Sequence, residues 1–161
     1  MPVTAAPSSP KFFRAVVWGG LVAGALDMLE PIVFWHFYRG TPPIRIPQSI
    51  AAGLLGRQAA IDGGWKTAAL GLALHFFIAT SAALVYVMVS RRKEALIQHP
   101  VKYGLIYGLG VFAFMNFVVV PVSQGGAPTL VTPVLINNVL AHLFLIGLPI
   151  ALLTRRYAGR A

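Results

Sequence analysis

Asp27 and Glu30 stand three residues apart inside an apolar run from Ala15 to Tyr38, and they are two of only four acidic residues in the chain. Three further apolar stretches carry His75, Asn116, and the pair Asn138 and His142. Carboxylates, imidazoles and amides in such surroundings are expensive and suggest a limited set of roles. A carboxylate–histidine chain can carry protons, because imidazole titrates near neutrality. His75, His142, Asp27 and Glu30 together match the ligand preferences of zinc or iron. Two histidines on opposing helices could instead be axial ligands of a haem, with Gly71 making room. The simplest role is mutual hydrogen bonding that holds helices in register, each bond worth under about 2 kcal/mol in a membrane. No HExxH and no paired Glu-x-x-His spacing occurs, and there is no P-loop or G-x-G-x-x-G fingerprint. Ser123-Gln124-Gly125-Gly126 reads as a turn, with no strand before it to make a nucleophile elbow. With no cysteine, thiol catalysis, disulfides and Cys-zinc sites are excluded. Enzyme chemistry therefore has little support.

These residues need elements to hold them. The set AVILMFWYC makes up 57% of the 161 residues and charged residues only 11%, far from the balance of a soluble domain. The charges bracket four apolar runs, about 15–38, 67–90, 103–122 and 134–154. Each is long enough to cross a hydrocarbon core as a helix, and none alternates as a membrane strand would. An all-α polytopic membrane protein with four transmembrane helices follows, as a single membrane domain, residues 1–11 forming a disordered tail. Between the first two runs, Ile46, Ile50, Leu54 and Leu55 fall at helical spacing behind Pro47. They predict a short amphipathic helix at the outer interface or dipping into it, with Arg57 and Asp62 facing water.

Helical geometry then places the polar groups. Gly20, Ala23, Gly24, Asp27, Glu30 and Pro31 share one face about 120° wide. His75 falls on a stripe of Ala68, Gly71, Ala79, Ala82 and Tyr86. His142 lies near Leu135, Asn138, Ile146 and Pro149, while Asn137 points elsewhere. Asn116 groups with Leu105, Leu109 and Phe112, beside a stripe carrying Gly104 and Gly108. Counted from the outer span ends at about 1.5 Å per residue, Asp27 lies roughly 16 Å down, Glu30 roughly 12 Å, His75 and His142 roughly 13 Å, and Asn116 roughly 9 Å. Asp27, Glu30, His75, Asn116, Asn138 and His142 thus form one expected intramembrane cluster. The Gly20/Gly24 and Gly104/Gly108 pairs suit close helix approach and predict a self-associating chain. His36, beside Trp35 and Tyr38, reads as part of an interfacial aromatic belt.

The net charge of +9 comes from 13 basic residues. Nine of them fall on the side that holds both termini and four on the other, which places both termini in the cytoplasm. The basic excess reads as anchors meeting anionic lipid and calls for no nucleic acid. Ala23-Gly24-Ala25 loosely resembles a signal-peptide cleavage site, but the apolar run continues unbroken to Tyr38.

An Asp after a Gly pair in the first span, Gly53-Leu54-Leu55-Gly56 before the second, Leu74-His75-Phe76 within it, Met115-Asn116 in the third and Ala141-His142 in the fourth resemble small bacterial inner-membrane proteins of the YagU-like group. The resemblance implies a multi-pass protein of the bacterial inner membrane and brings no activity or site residue with it. The preferred reading is a non-enzymatic packing or interaction protein without a cofactor, built around the polar cluster. A proton-linked carrier of a small solute or ion is the alternative, and a metal or haem protein the second.

Overall fold

The computed structural model describes residues 10–125 and 131–158. Seven helices follow one another: α1 Pro10–Arg39, α2 Arg45–Leu55, α3 Arg57–Asp62, α4 Gly64–Ser90, α5 Ala95–Gln98, α6 Pro100–Val122 and α7 Thr132–Tyr157, with no strand among the described residues. Four of them, α1, α4, α6 and α7, are long and apolar enough to cross a membrane. They extend the four apolar runs by a few residues at their ends. The expected tail lies outside the described residues except for Pro10 and Lys11, which open α1 instead.

The distribution of side chains inverts that of a soluble protein. Ala15, Ala23, Ala79, Ala83 and Ala151 are buried, whereas Leu29, Phe77, Phe114 and Phe117 face outward. Lipid is as apolar as leucine, so burying large side chains gains little there, and small residues let backbones come close. Helix α1 packs between α4 and α7, and α7 packs in turn on α6. A tyrosine pair joins α4 to α6 and closes the bundle. Tyr107 Oη donates to the Ala82 carbonyl at 2.7 Å, and the Tyr86 and Tyr107 rings meet edge-on with centroids 5.0 Å apart.

The glycine pairs are spent inside the chain. A methyl at Gly20 would meet Thr80, and one at Gly24 would meet Phe76 and Ala79, all on α4. Gly104 and Gly108 lie against the α7 backbone around Gly147. The expectation that these two faces hold a second copy is therefore corrected: each is filled by a neighbouring helix.

The segment between α1 and α4 forms two helices, broken at Gly56, whose φ of 77° only glycine adopts readily. The two faces of α2 differ in exposure. Leu54 and Leu55 are exposed, whereas Gln48, Ala51 and Ala52 are buried. The cause is a close contact: the Pro47 carbonyl sits where a Gly71 side chain would be, and only a small-residue face can lie that near α4. Arg57 and Asp62 are exposed, as expected. Gln48, which sequence reasoning passed over, ties the segment down. Its Nε2 donates to the Gly64 carbonyl at 3.0 Å and the Ile61 carbonyl at 3.4 Å, and its Oε1 accepts from Arg45 at 3.2 Å. On the same side of the bundle, Gln124 donates through its backbone to Gly53 and through its side chain to Leu54, both at 2.9 Å. Replacing Gln48 by alanine removes one donor from each of two partly buried carbonyls, which keep Thr67 Oγ1 and the Gly63 N–H, at a cost of about 1 kcal/mol. Faster amide exchange across α2, with α6 and α7 unchanged, is the expected readout.

Candidate functional site

Three of the four long helices carry a proline beyond their first turn, each within two turns after a polar residue of the cluster. A proline has no N–H to donate and its ring crowds the carbonyl four residues earlier. In α1, Pro31 leaves the Asp27 carbonyl without its usual helical donor, and the helix runs on through it to Arg39. In α6, Pro121 crowds Phe117, and in α7, Pro149 crowds Leu145. Both carbonyls fall within wider, π-helical turns, Met115–Val119 and His142–Gly147. Such turns relieve the clash and are common at functional sites. They carry Asn116 and His142.

The wide turn also alters which face Asn116 shares. Pro100, Gly104, Gly108, Phe112 and Asn116 are the buried residues of α6, a spacing of four throughout. The expected grouping with Leu109 is corrected, since that residue is exposed. A regular helix would rotate a four-residue repeat off its partner, and the wide turn slows that drift and keeps Asn116 on α7.

The six expected residues divide into three sets. The first is a chain between α6 and α7. Asn138 Nδ2 donates to Asn116 Oδ1 at 3.3 Å, Asn116 Nδ2 donates to the Phe112 carbonyl at 3.0 Å, and His142 Nδ1 donates to the Asn138 carbonyl at 2.9 Å. The Phe112 ring stands edge-on to the His142 imidazole. The second set joins α1 to α7. Asn137 Nδ2 donates to Glu30 Oε1 at 2.6 Å. The expectation that Asn137 points elsewhere is corrected. Neighbouring positions on α7 diverge by about 100°, so Asn138 serves α6 while Asn137 serves α1, and the position of α7 between two helices was the missing information. Glu30 also lines an apolar groove with Leu26, Leu29, Val33, Phe34 and Leu145.

The third set holds Asp27 and His75. His75 Nε2 donates to the Gly24 carbonyl at 2.8 Å, which ties α4 to α1. Beside it lies a cavity of about 160 Å³ between α1, α2 and α4, lined by Asp27 and His75. Among the described residues, none donates a hydrogen bond to the Asp27 carboxylate. Asp27 lies within electrostatic reach of both His75 and His142, and Glu30 within reach of Asp27 and His142. The sets are therefore electrostatically linked through Asp27, although they are separate as hydrogen-bonded units.

The metal and haem arrangements do not fit. Among the described residues, no three of the His, Asp and Glu side chains converge to hold a metal ion. Gly71 makes room for the Pro47 carbonyl rather than for a haem, and the Nε2 of His75 is engaged by Gly24. His36 is exposed at the end of α1. Trp35, Phe34 and Tyr38 form an aromatic group there, with the Arg39 guanidinium over the Trp35 and Tyr38 rings.

Comparison with known proteins adds no relative: no family model, no curated protein and no solved structure matches this chain. Function must be argued from the site.

The Glu30–Asn137 contact gives a second prediction. A double-mutant cycle with Glu30→Gln and Asn137→Ala should return a favourable coupling of about 0.5–2 kcal/mol in detergent unfolding. A coupling near zero would place the two side chains apart.

Proposed function

We propose that this multi-pass membrane protein is a proton-linked carrier of a small solute, with Asp27 as its proton-binding group. One observation carries the reading. Glu30, His75, Asn116, Asn138 and His142 each make a hydrogen bond within the protein, and a packing role accounts for all five. It does not account for Asp27, a carboxylate within a membrane-spanning segment that, among the described residues, accepts no hydrogen bond and opens on a cavity. An acid kept there at a cost of several kcal/mol needs a use that register-keeping does not supply.

The neighbouring groups suit that use. His75 and His142 both lie within electrostatic reach of Asp27, and imidazoles can relay protons near neutral pH. The charge asymmetry supports a placement with both termini in the cytoplasm, and the YagU-like resemblance supports a bacterial inner membrane. Under that placement the cavity lies toward the outer face, beneath α2.

Reconstitution tests the reading. Proteoliposomes containing the protein should dissipate an imposed pH gradient when supplied with substrate, and Asp27→Asn should abolish that flux while Asn116→Ala retains most of it. Equal flux in the wild type and Asp27→Asn would overturn it.

A further inference from the structure

We infer that the cavity beside Asp27 takes a small organic ammonium ion, and that this cation and a proton compete for one carboxylate. The inference rests on the carrier reading and names its substrate class. Its basis is the hydrogen-bonding character of the wall. The Ser49 hydroxyl already donates to the Ile46 carbonyl at 2.7 Å, so toward a ligand it can only accept. His75 spends its Nε2–H on Gly24, which leaves Nδ1 of the neutral ring as an acceptor. The Asp27 carboxylate has acceptors alone. Apart from the Trp35 indole N–H, the polar side chains lining this cavity offer acceptors and no free donor. A ligand that satisfies them must bring donors, and an alkylammonium brings three with a positive charge.

The remaining wall separates organic from inorganic cations. A calcium-like ion asks for six or more oxygen ligands, and here only one carboxylate and one hydroxyl supply side-chain oxygen. Met28, Pro31, Ile46 and Ile50 provide apolar surface, and Trp35 provides an aromatic ring of the kind that attracts ammonium groups. Volume sets the size. A cavity of about 150 Å³ accommodates benzene, so the 160 Å³ here suits a branched or cyclic ammonium of similar bulk.

The charged groups around Asp27 are few. His75 comes from α4, His142 from α7 and Glu30 from α1, while α2 lends the wall no ionisable side chain. Arg39 is held over the rings of Trp35 and Tyr38, and Arg45 donates to Gln48. A single unpaired carboxylate neutralises a single positive charge. Entry of the ammonium therefore displaces the carboxyl proton to water, and exchange is electroneutral.

The test uses the purified full chain in detergent, with tert-butylammonium and its neutral counterpart tert-butanol as probes. Calorimetry should show the cation binding at least about tenfold more tightly than the alcohol, with proton release visible to an indicator dye in weak buffer. Asp27→Asn should abolish both signals. Ile50→Phe, which keeps the carboxylate and fills the cavity, should weaken tert-butylammonium far more than methylammonium. Equal binding of cation and alcohol, or binding undiminished in a folded Asp27→Asn protein, would overturn the inference. Asp27-dependent proton flux with no ammonium binding would also overturn it while sparing the carrier reading. Ammonium binding with proton release but no flux in vesicles would instead remove the carrier reading and leave the site.

Discussion

Replacing Gly147 by alanine is expected to destabilise the folded chain by about 2–3 kcal/mol, the upper part of the overpacking range. The added methyl would lie 2.7 Å from Gly108 Cα and closer still to the Gly104 carbonyl oxygen. Both obstacles are backbone, so no side chain can swing away to make room. The reciprocal contacts are of the same kind: a methyl at Gly108 would lie 2.8 Å from Leu143 Cα, and one at Gly104 would lie 3.1 Å from Leu148 Cα. Helices α6 and α7 must separate along the crossing that also aligns Asn116 with Asn138. Gly110 supplies the control, since no atom lies within 4 Å of a methyl built there. Gly110→Ala should be neutral or slightly stabilising, because alanine is the better helix former. Reversible unfolding in mixed detergent measures both. Equal midpoints for the two variants would mean that α6 and α7 are not packed backbone to backbone.

Asp27 and Glu30 should respond differently to neutralisation. The Glu30 carboxylate accepts a short bond from Asn137. Changing it to glutamine weakens a charge-assisted contact and should lower stability by about 0.5–2 kcal/mol. Among the described residues, Asp27 has no such bond to lose. A charged residue at the centre of a membrane helix costs about 2.5–3.5 kcal/mol on insertion scales, so Asp27→Asn should leave stability unchanged or raise it. The same substitution should remove proton flux. A variant that is at least as stable as the wild type and inactive identifies a residue retained for function. Loss of stability on Asp27→Asn, as large as that of Glu30→Gln, would return Asp27 to a packing role.

The elements were legible in the sequence because composition and charge placement speak directly to a bilayer. Arg14 and Arg39, or Lys66 and Arg91, bracket runs that become α1 and α4 with their ends moved by a few residues. The polar residues could be named for the same reason, since an Asp or His in such a run stands out. Their partners were harder to read. Asn137 and Asn138 are adjacent, and choosing between them needed the knowledge that α7 has a neighbour on each side. The helical wheel failed for Asn116 because it assumes a constant turn, and α6 widens before Pro121. Pro121 and Pro149 were the available signals, and their spacing to Asn116 and His142 could have suggested the departure. The orientation of α2 was hidden differently. Its apolar spacing predicted a helix at the interface but not which face meets α4, where the close contact at Gly71 leaves Gln48, Ala51 and Ala52 buried. In a membrane protein the small residues mark the packed face.

The central claim is that Asp27 gains and loses a proton in the folded protein. Infrared difference spectroscopy across a pH titration measures this directly, through the carboxylic C=O stretch that is present only in the protonated acid. A titrating carboxyl band is expected that is missing from Asp27→Asn, survives in Glu30→Gln, and is lost when tert-butylammonium is added at a pH where the acid is protonated. A spectrum in which Asp27→Asn removes no titrating band would contradict it.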